Sequence, residues 1–318
     1  MGRHDVSRQS IFFEPNIWLR GNAWEIKAKM NSEFPDLTTM VNYRDDSNPM
    51  NIILGNTQLR NIHYYDIEGG KTFEGKKHSR LNINMGYHQT DNAVAYSLVF
   101  DKQTGVSTVQ PISVNGNYRI DLGIGYTRPL DKKEKLSIDN QASFNYNHNV
   151  DMAMVQGATQ SQRSIVNNWK ISNVLKLNYR LDDNYEFTLH GGGTYYLIKS
   201  QREGFSNIHA GDYNIGVNVQ VALPWKLQLT TDLTMFARRG YQLSEMNTTD
   251  WIWNAQLSRS FINKKLLVKL QGFDMLRQLS NTQYLMNAQG RTETWNNSIP
   301  RYMMLSLSWR FNVNPKKK

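Results

Sequence analysis

Residues 213–223 read YNIGVNVQVAL. Tyr213, Ile215, Val217, Val219, Val221 and Leu223 share one parity, and Asn214, Gly216, Asn218, Gln220 and Ala222 share the other. Successive side chains of a strand point to opposite faces, so this segment is a strand with one greasy and one polar surface. The pattern recurs from Trp169 to Leu181, where Trp169, Ile171, Leu175, Leu177, Tyr179 and Leu181 oppose Lys170, Ser172, Lys176, Asn178 and Arg180. It recurs from Tyr118 to Tyr126, with Arg119 and Asp121 on the polar side, and from Leu136 to Tyr146. In the last such stretch Met303, Leu305, Leu307, Trp309 and Phe311 alternate with Met304, Ser306, Ser308 and Arg310.

Extended outward, the alternation predicts strands over residues 8–20, 24–34, 62–73, 80–99, 105–129, 135–150, 162–181, 185–199, 209–223, 226–239, 249–261, 265–280 and 292–312. The connections alternate in length. Short polar ones (20–23, 75–79, 130–133, 182–184, 263–264) are interleaved with long ones (35–61, 151–161, 200–208, 240–248, 281–291). Short turns on one rim and long loops on the other describe an outer-membrane barrel, with the short set periplasmic. Tyr126, Tyr179, Tyr185, Trp225, Phe261, Trp309 and Phe311 all fall near the short-turn rim, as an interfacial aromatic belt requires. The expected fold class is therefore all-β: an antiparallel transmembrane β-barrel integral to the outer membrane, with about thirteen strands in one segment spanning 1–318.

Composition narrows the alternatives. Only 39% of the residues are hydrophobic and the mean hydropathy is −0.60. No stretch approaches the roughly 18 apolar residues of a membrane helix. An alternating barrel strand averages out to such a hydropathy. Cysteine is absent, which removes disulfides and thiolate chemistry. The net charge of +10 is dispersed through short turns and the terminal Lys316, Lys317 and Lys318, a poor nucleic-acid footprint. Met1 to Ser10 has no apolar signal-peptide core. If Phe311 ends at the periplasmic rim, the thirteenth strand counted back descends from outside, whereas complete bacterial barrels have even counts. The expectation is a missing N-terminal portion carrying a signal peptide, a plug and the first strands.

Two local patterns point to a family: Gly55, Asn56, Thr57, Gln58 and Leu59 after a long polar loop, and the ending Leu305-Ser-Leu-Ser-Trp-Arg-Phe311-Asn. With these the chain resembles the C-terminal β-barrel portion of TonB-dependent-receptor-like outer-membrane proteins of Bacteroidetes, the outer membrane protein beta-barrel family. In that family the first motif usually carries Pro where Thr57 stands. The resemblance implies a barrel of about 22 strands around an N-terminal plug, a receptor or transporter role in ligand or nutrient uptake, and a link to the TonB system through the missing part.

No enzyme chemistry, cofactor or metal is expected. His4, His63, His78, His88, His148, His190 and His209 form no close metal pair, and His88, His148 and His190 fall on lumen-side or rim positions. Ser143 or Ser161 with Asn147 and His148 has no spacing that favours a catalytic triad. The run Gly191, Gly192, Gly193 lies inside a strand, without the helix and Lys of a phosphate loop. Arg44, Asp45, Asp46 and Asn48 do not have EF-hand spacing. Lys76, Lys77, Lys132, Lys133, Lys135, Lys264 and Lys265 sit in or beside the periplasmic turns, where they suit anionic lipid headgroups. Candidate ligand contacts on the extracellular rim are Tyr43, Arg44, Asp45, Arg202, Glu203, Arg238, Arg239, Tyr241 and Trp295. The other readings are a self-contained outer-membrane pore or adhesin, and a soluble secreted β-protein binding polysaccharide.

Overall fold

The computed structural model describes residues 14–155, 157–279, 282–286, 291–295, 299 and 301–311. In chain order the strands are β1 (Asn16–Arg20), β2 (Trp24–Glu33), β3 (Arg44–Asp45), β4 (Asn51–Leu54), β5 (Ile62–Glu74), β6 (Arg80–Asp91), β7 (Ala93–Phe100), β8 (Ser107–Val114), β9 (Asn117–Pro129) and β10 (Leu136–Ala153). They continue with β11 (Gln162–Asp182), β12 (Tyr185–Ser200), β13 (Ile208–Leu223), β14 (Leu227–Arg239), β15 (Thr249–Phe261), β16 (Leu266–Phe273), β17 (Thr282–Met286), β18 (Arg291–Trp295) and β19 (Tyr302–Trp309). One short helix, α1 (Leu37–Met40), precedes β3.

Thirteen of these strands form one antiparallel sheet in the order β1-β2-β5-β6-β9-β10-β11-β12-β13-β14-β15-β16-β19. Each wall strand pairs with the next wall strand along the chain, so the sheet is an up-and-down wall, with β3–β4, β7–β8 and β17–β18 inserted between β2 and β5, β6 and β9, and β16 and β19. Among the described residues its two edges, β1 and β19, do not pair with each other. The predicted number of wall strands is the number observed.

The parity read from the sequence sets the faces. Ile171 is 52% exposed and Ile215 50%, whereas lumen-side Thr234 and Ser258 are buried. Among the described residues no protein covers the apolar face, as a surface solvated by lipid requires. The other face is a ladder of cross-strand polar pairs. Thr127 Oγ1 donates to Asp139 Oδ2 at 2.9 Å, Thr188 Oγ1 to Asn178 Oδ1 at 3.0 Å and Asn254 Nδ2 to Asp232 Oδ2 at 2.9 Å. Asn140 and Asn173 share the apolar face and satisfy each other by reciprocal amide bonds of 3.1 and 3.2 Å.

Boundaries differ from the sequence reading in four places. The stretches expected as strands 80–99 and 105–129 each break in two, at Asn92 (φ 56) and Gly116 (φ 107). The polar run 89–92 and the turn residues Asn115, Gly116 and Asn117 interrupt the alternation at these two points, and the left-handed Asn92 and Gly116 turn the hairpin off the wall. Asn92 N donates to Asn115 Oδ1 at 2.6 Å and its Nδ2 to Asn61 O at 2.9 Å, which fixes the bend. The liberated hairpin β7–β8 joins the loop 34–61 in a second sheet, β3-β4-β8-β7, whose β4–β8 pairing is parallel. The expected strand 265–280 stops at Phe273, because Asp274 (φ 42) turns the chain and its buried carboxylate accepts Gln278 N and Leu279 N at 3.0 and 2.9 Å. The expected strand 292–312 starts only at Tyr302; the chain before it forms a separate β17–β18 hairpin. Residues 8–13 of the first expected strand and the terminal 312–318 lie outside the described residues.

The second sheet forms a cap on the long-loop rim. Leu59 (1% exposed), Met40 (4%), Ala95 and Pro111 are buried within it. The Gly55–Leu59 motif is its fastener. Gly55 N donates to Tyr43 O at 2.8 Å, and a Cβ on Gly55 would stand 1.9 Å from Val41 O, so only glycine fits there. Asn56 Nδ2 donates to Pro111 O at 2.8 Å, stapling the loop to β8, while its Oδ1 accepts Gln58 N. Thr57, where the resemblance expects Pro, is exposed, so the departure costs no packing.

Candidate functional site

Aromatic side chains stand on the apolar face of the wall in two rows, here called the lower and upper girdles. The lower one contains residues expected from sequence: Tyr179, Tyr185, Phe261, Trp309, Trp225 (78% exposed) and Phe311 (81% exposed), with Tyr126 half-buried beside them. The upper one went unread. Tyr87, Tyr118, Tyr146 and Trp169, on four neighbouring strands, run as a ladder with ring centroids 6.1, 5.8 and 5.1 Å apart. Trp169 and Tyr179 are ten steps apart on β11, about 33 Å along the strand at ~3.3 Å per residue. With a tilt of about 40° this is a band of ~25 Å, the apolar height of an outer-membrane barrel. His148 sits in the upper girdle on the outer face, stacked on Tyr118 at 5.0 Å with Nδ1 2.7 Å from Asn167 Oδ1.

Near the upper girdle, on the lumen side, side chains from four strands and one loop converge. Tyr241 Oη donates to Asp212 Oδ1 at 2.8 Å, and Arg238 Nε stands 3.9 Å from the same oxygen. Lys170 Nζ lies 5.9 Å from the centre of the Tyr196 ring. Burial, then the hydrogen bond to Asp212, pushes the Tyr241 phenol well above its ordinary range. Asn247 holds Tyr241 in place by accepting its N–H at 3.0 Å and donating to its carbonyl at 2.8 Å. Tyr241 and Phe205 pack against a buried cluster of Val166, Ile198, Ile208 and Ala210. The arrangement is a rigid rim of cation, carboxylate and phenol facing the lumen mouth.

A second lumenal cluster lies on β5, β6 and β9. His88 Nδ1 is 2.7 Å from Asp66 Oδ1 and its Nε2 is 3.3 Å from Asp121 Oδ2, while Arg119 Nε reaches Asp121 at 2.6 Å. His190 Nε2 lies 3.3 Å from Thr234 Oγ1 in the same wall. Among the described residues no group of three or more His, Asp or Glu is placed to hold a metal ion.

Of the candidates named from sequence, the structure brings Arg238 and Tyr241 together and adds Asp212, Tyr196 and Lys170. Of these three, alternation places only Lys170 on the polar face; nothing in the sequence singles out Asp212 or Tyr196. Arg202 reaches a cavity under the cap, and Glu203 is exposed in the same loop. Arg239 faces outward and is spent on its own loop, donating to Thr248 O at 2.7 Å and Thr249 Oγ1 at 2.6 Å. Tyr43, Arg44 and Asp45 belong to the cap, where Arg44 pairs with Asp46 at 3.4 Å and Asp45 hydrogen-bonds Ser47 and Tyr43. Trp295 closes β18, and its side chain lies outside the described residues.

Among curated proteins, none matches the chain significantly in sequence. A solved structure of a ferric enterobactin receptor from Pseudomonas aeruginosa, a point mutant in complex with enterobactin, is similar with a TM-score of 0.48 at 11% identity. The match covers 86% of this chain and 41% of the receptor. The model of the outer membrane protein beta-barrel family matches residues 20–192, more than half of the chain. With an alternating wall, two girdles and one polar face already on hand, that match settles kinship and location: the chain belongs to the outer membrane protein beta-barrel family and is an integral protein of the outer membrane.

Proposed function

We propose that the chain is the barrel wall of a TonB-dependent-type receptor that takes up a ligand or nutrient, the C-terminal part of a larger Bacteroidetes protein with an N-terminal plug. The observation that carries this reading is the folded cap over a polar lumen. A passive pore has no use for loops with their own sheet and buried core, whereas ligand capture gains from groups held in place before the ligand arrives. The Asp212, Arg238 and Tyr241 rim is such a set. The sheet's open edges support the larger barrel, since in lipid each unpaired backbone group costs several kcal/mol. Further strands, about nine on the family pattern of about 22, would close it. The partners in this reading are outer-membrane lipid, the plug and, through the plug, the TonB system; nucleic acid has no part in it. The role is binding and passage, with no catalytic step. Membership in a membrane-barrel family removes the soluble polysaccharide-binding alternative.

Planar-bilayer conductance of the protein extracted from its native outer membrane tests the proposal. A plugged receptor gives no standing current. A steady ohmic current would overturn it in favour of the self-contained pore.

A further inference from the structure

A cavity of about 510 Å³ opens where the base of the β7–β8 hairpin meets the lumenal side of β10 and β11. Val94, Val114 and Val166 form its apolar side, and Ser164, Asn168 and Arg202 its polar side. Ser164 is 6% exposed, and neither its Oγ nor the buried Oδ1 of Asn168 has a hydrogen-bond partner among the described residues. Buried polar atoms are nearly always satisfied, so two orphans on one cavity wall mark a place that a ligand completes. Arg202 is anchored through its backbone, whose N–H donates to Ser200 Oγ at 3.1 Å, while that hydroxyl donates to Ile165 O at 2.9 Å. Its guanidinium carbon lies 5.6 Å from the centre of the Phe205 ring, a cation–π distance, and among the described residues no hydrogen bond occupies the guanidinium N–H groups.

Resting on the receptor reading above, we propose that this cavity binds a short apolar peptide by its C-terminal carboxylate. A planar guanidinium edge matches a carboxylate in two parallel hydrogen bonds. Asp151 also lines the cavity, and its carboxylate disfavours a doubly charged phosphate where a single carboxylate is tolerated. A fatty acid would fill the valine wall but brings no N–H for Ser164 Oγ and Asn168 Oδ1. A peptide supplies the carboxylate, the amide donors and small apolar side chains together, and the volume lies within the usual range of ligand pockets.

The test is calorimetric titration of the protein, purified in detergent from its native outer membrane, with tri-valine and with tri-valine amide. Tri-valine is expected to bind, and amidation and Arg202→Ala are each expected to weaken it at least tenfold, with Arg202→Lys between. Val166→Trp fills the cavity and is expected to abolish binding while the heat-modifiable gel shift of the folded barrel remains. No binding of tri-valine, equal affinity for the amide, or full binding by Val166→Trp overturns the assignment. Any of these results in a protein that carries no standing current leaves the receptor reading in place; a standing current overturns that reading whatever the titration shows.

Discussion

The cap and the wall use apolar residues in opposite ways. In the cap Leu59 is 1% exposed; in the wall Leu305 is 64% exposed. The same side chain is folded inward where the surroundings are water and presented outward where the surroundings are hydrocarbon. The cap therefore owes its order to burial. The wall owes its order to backbone ladders, since lipid leaves every strand N–H and C=O to be satisfied within the sheet.

The sharpest way to separate the two regions is to remove one buried side chain from the cap. Leu59→Ala is expected to cost the cap about 2–5 kcal/mol, the usual range for a buried Leu truncation. Amide exchange should rise across 34–61 and 93–114, while 162–239 keeps its protection. An equal loss of protection in both regions would mean that cap and wall form one cooperative unit, and the comparison would fail.

The reciprocal change charges the wall. Val217 is 43% exposed and lies midway between Tyr213 and Val221, opposite Leu189 and Leu233. Val217→Arg is expected to destabilise the barrel by about 2–4 kcal/mol, the cost of an arginine at the bilayer midplane. Asn218→Arg, one residue on and facing the lumen, should change stability little. Urea titrations of both variants refolded into vesicles measure the difference. Comparable costs at the two positions would contradict the assignment of faces.

The two regions also differ in how far the sequence disclosed them. Alternation identified thirteen wall strands, their faces and the short-turn rim, because the period-2 pattern and the lipid-facing environment act on every residue from Tyr213 to Leu223 alike. The upper girdle was equally present, but Tyr87, Tyr118, Tyr146 and Trp169 become a row only once register places them side by side. The cap was not legible. Its strands are short, one of its pairings is parallel, and the polar run 89–92 and Asn115-Gly116 at its roots read as interruptions within long strands and not as the start of a second sheet. The convergence of Asp212 with Arg238 and Tyr241 was half visible: the arginine and tyrosine stood out on a presumed rim, whereas the aspartate that joins them is one lumenal residue among many. The orphaned oxygens of Ser164 and Asn168 leave no trace in sequence, since orphanhood is a property of neighbours.

The smallest expected effect comes from pH and bears on the same contrast. Three cap turns are tied by aspartates whose carboxyls are held below the usual range. Asp36 is lowered by the hydroxyl and then the N–H of Thr38, Asp45 by Ser47, and Asp101 by Thr104 and the Gln103 N–H. A carboxylate with a depressed folded pKa stabilises fully above its unfolded value, about 3.9 for Asp, and that contribution fades as pH falls through the folded value. In the same cap the Tyr43 phenol is raised, first by its hydrogen bond to Asp45. Its contribution is full below the ordinary tyrosine value of about 10 and fades as pH rises through the folded one. The cap should accordingly be tightest between about pH 4 and pH 10 and should loosen outside both limits. The outer face of the wall from Tyr213 to Leu223 carries no carboxylate and should hold its protection at either extreme. Amide exchange at pH 3, 7 and 11, corrected for intrinsic rates, reads this directly. Because these aspartates are solvent-exposed, the shift should be the weakest of the three effects; a cap indifferent to acid would show that its turns are held by Gly55, Asn56 and Leu59 alone.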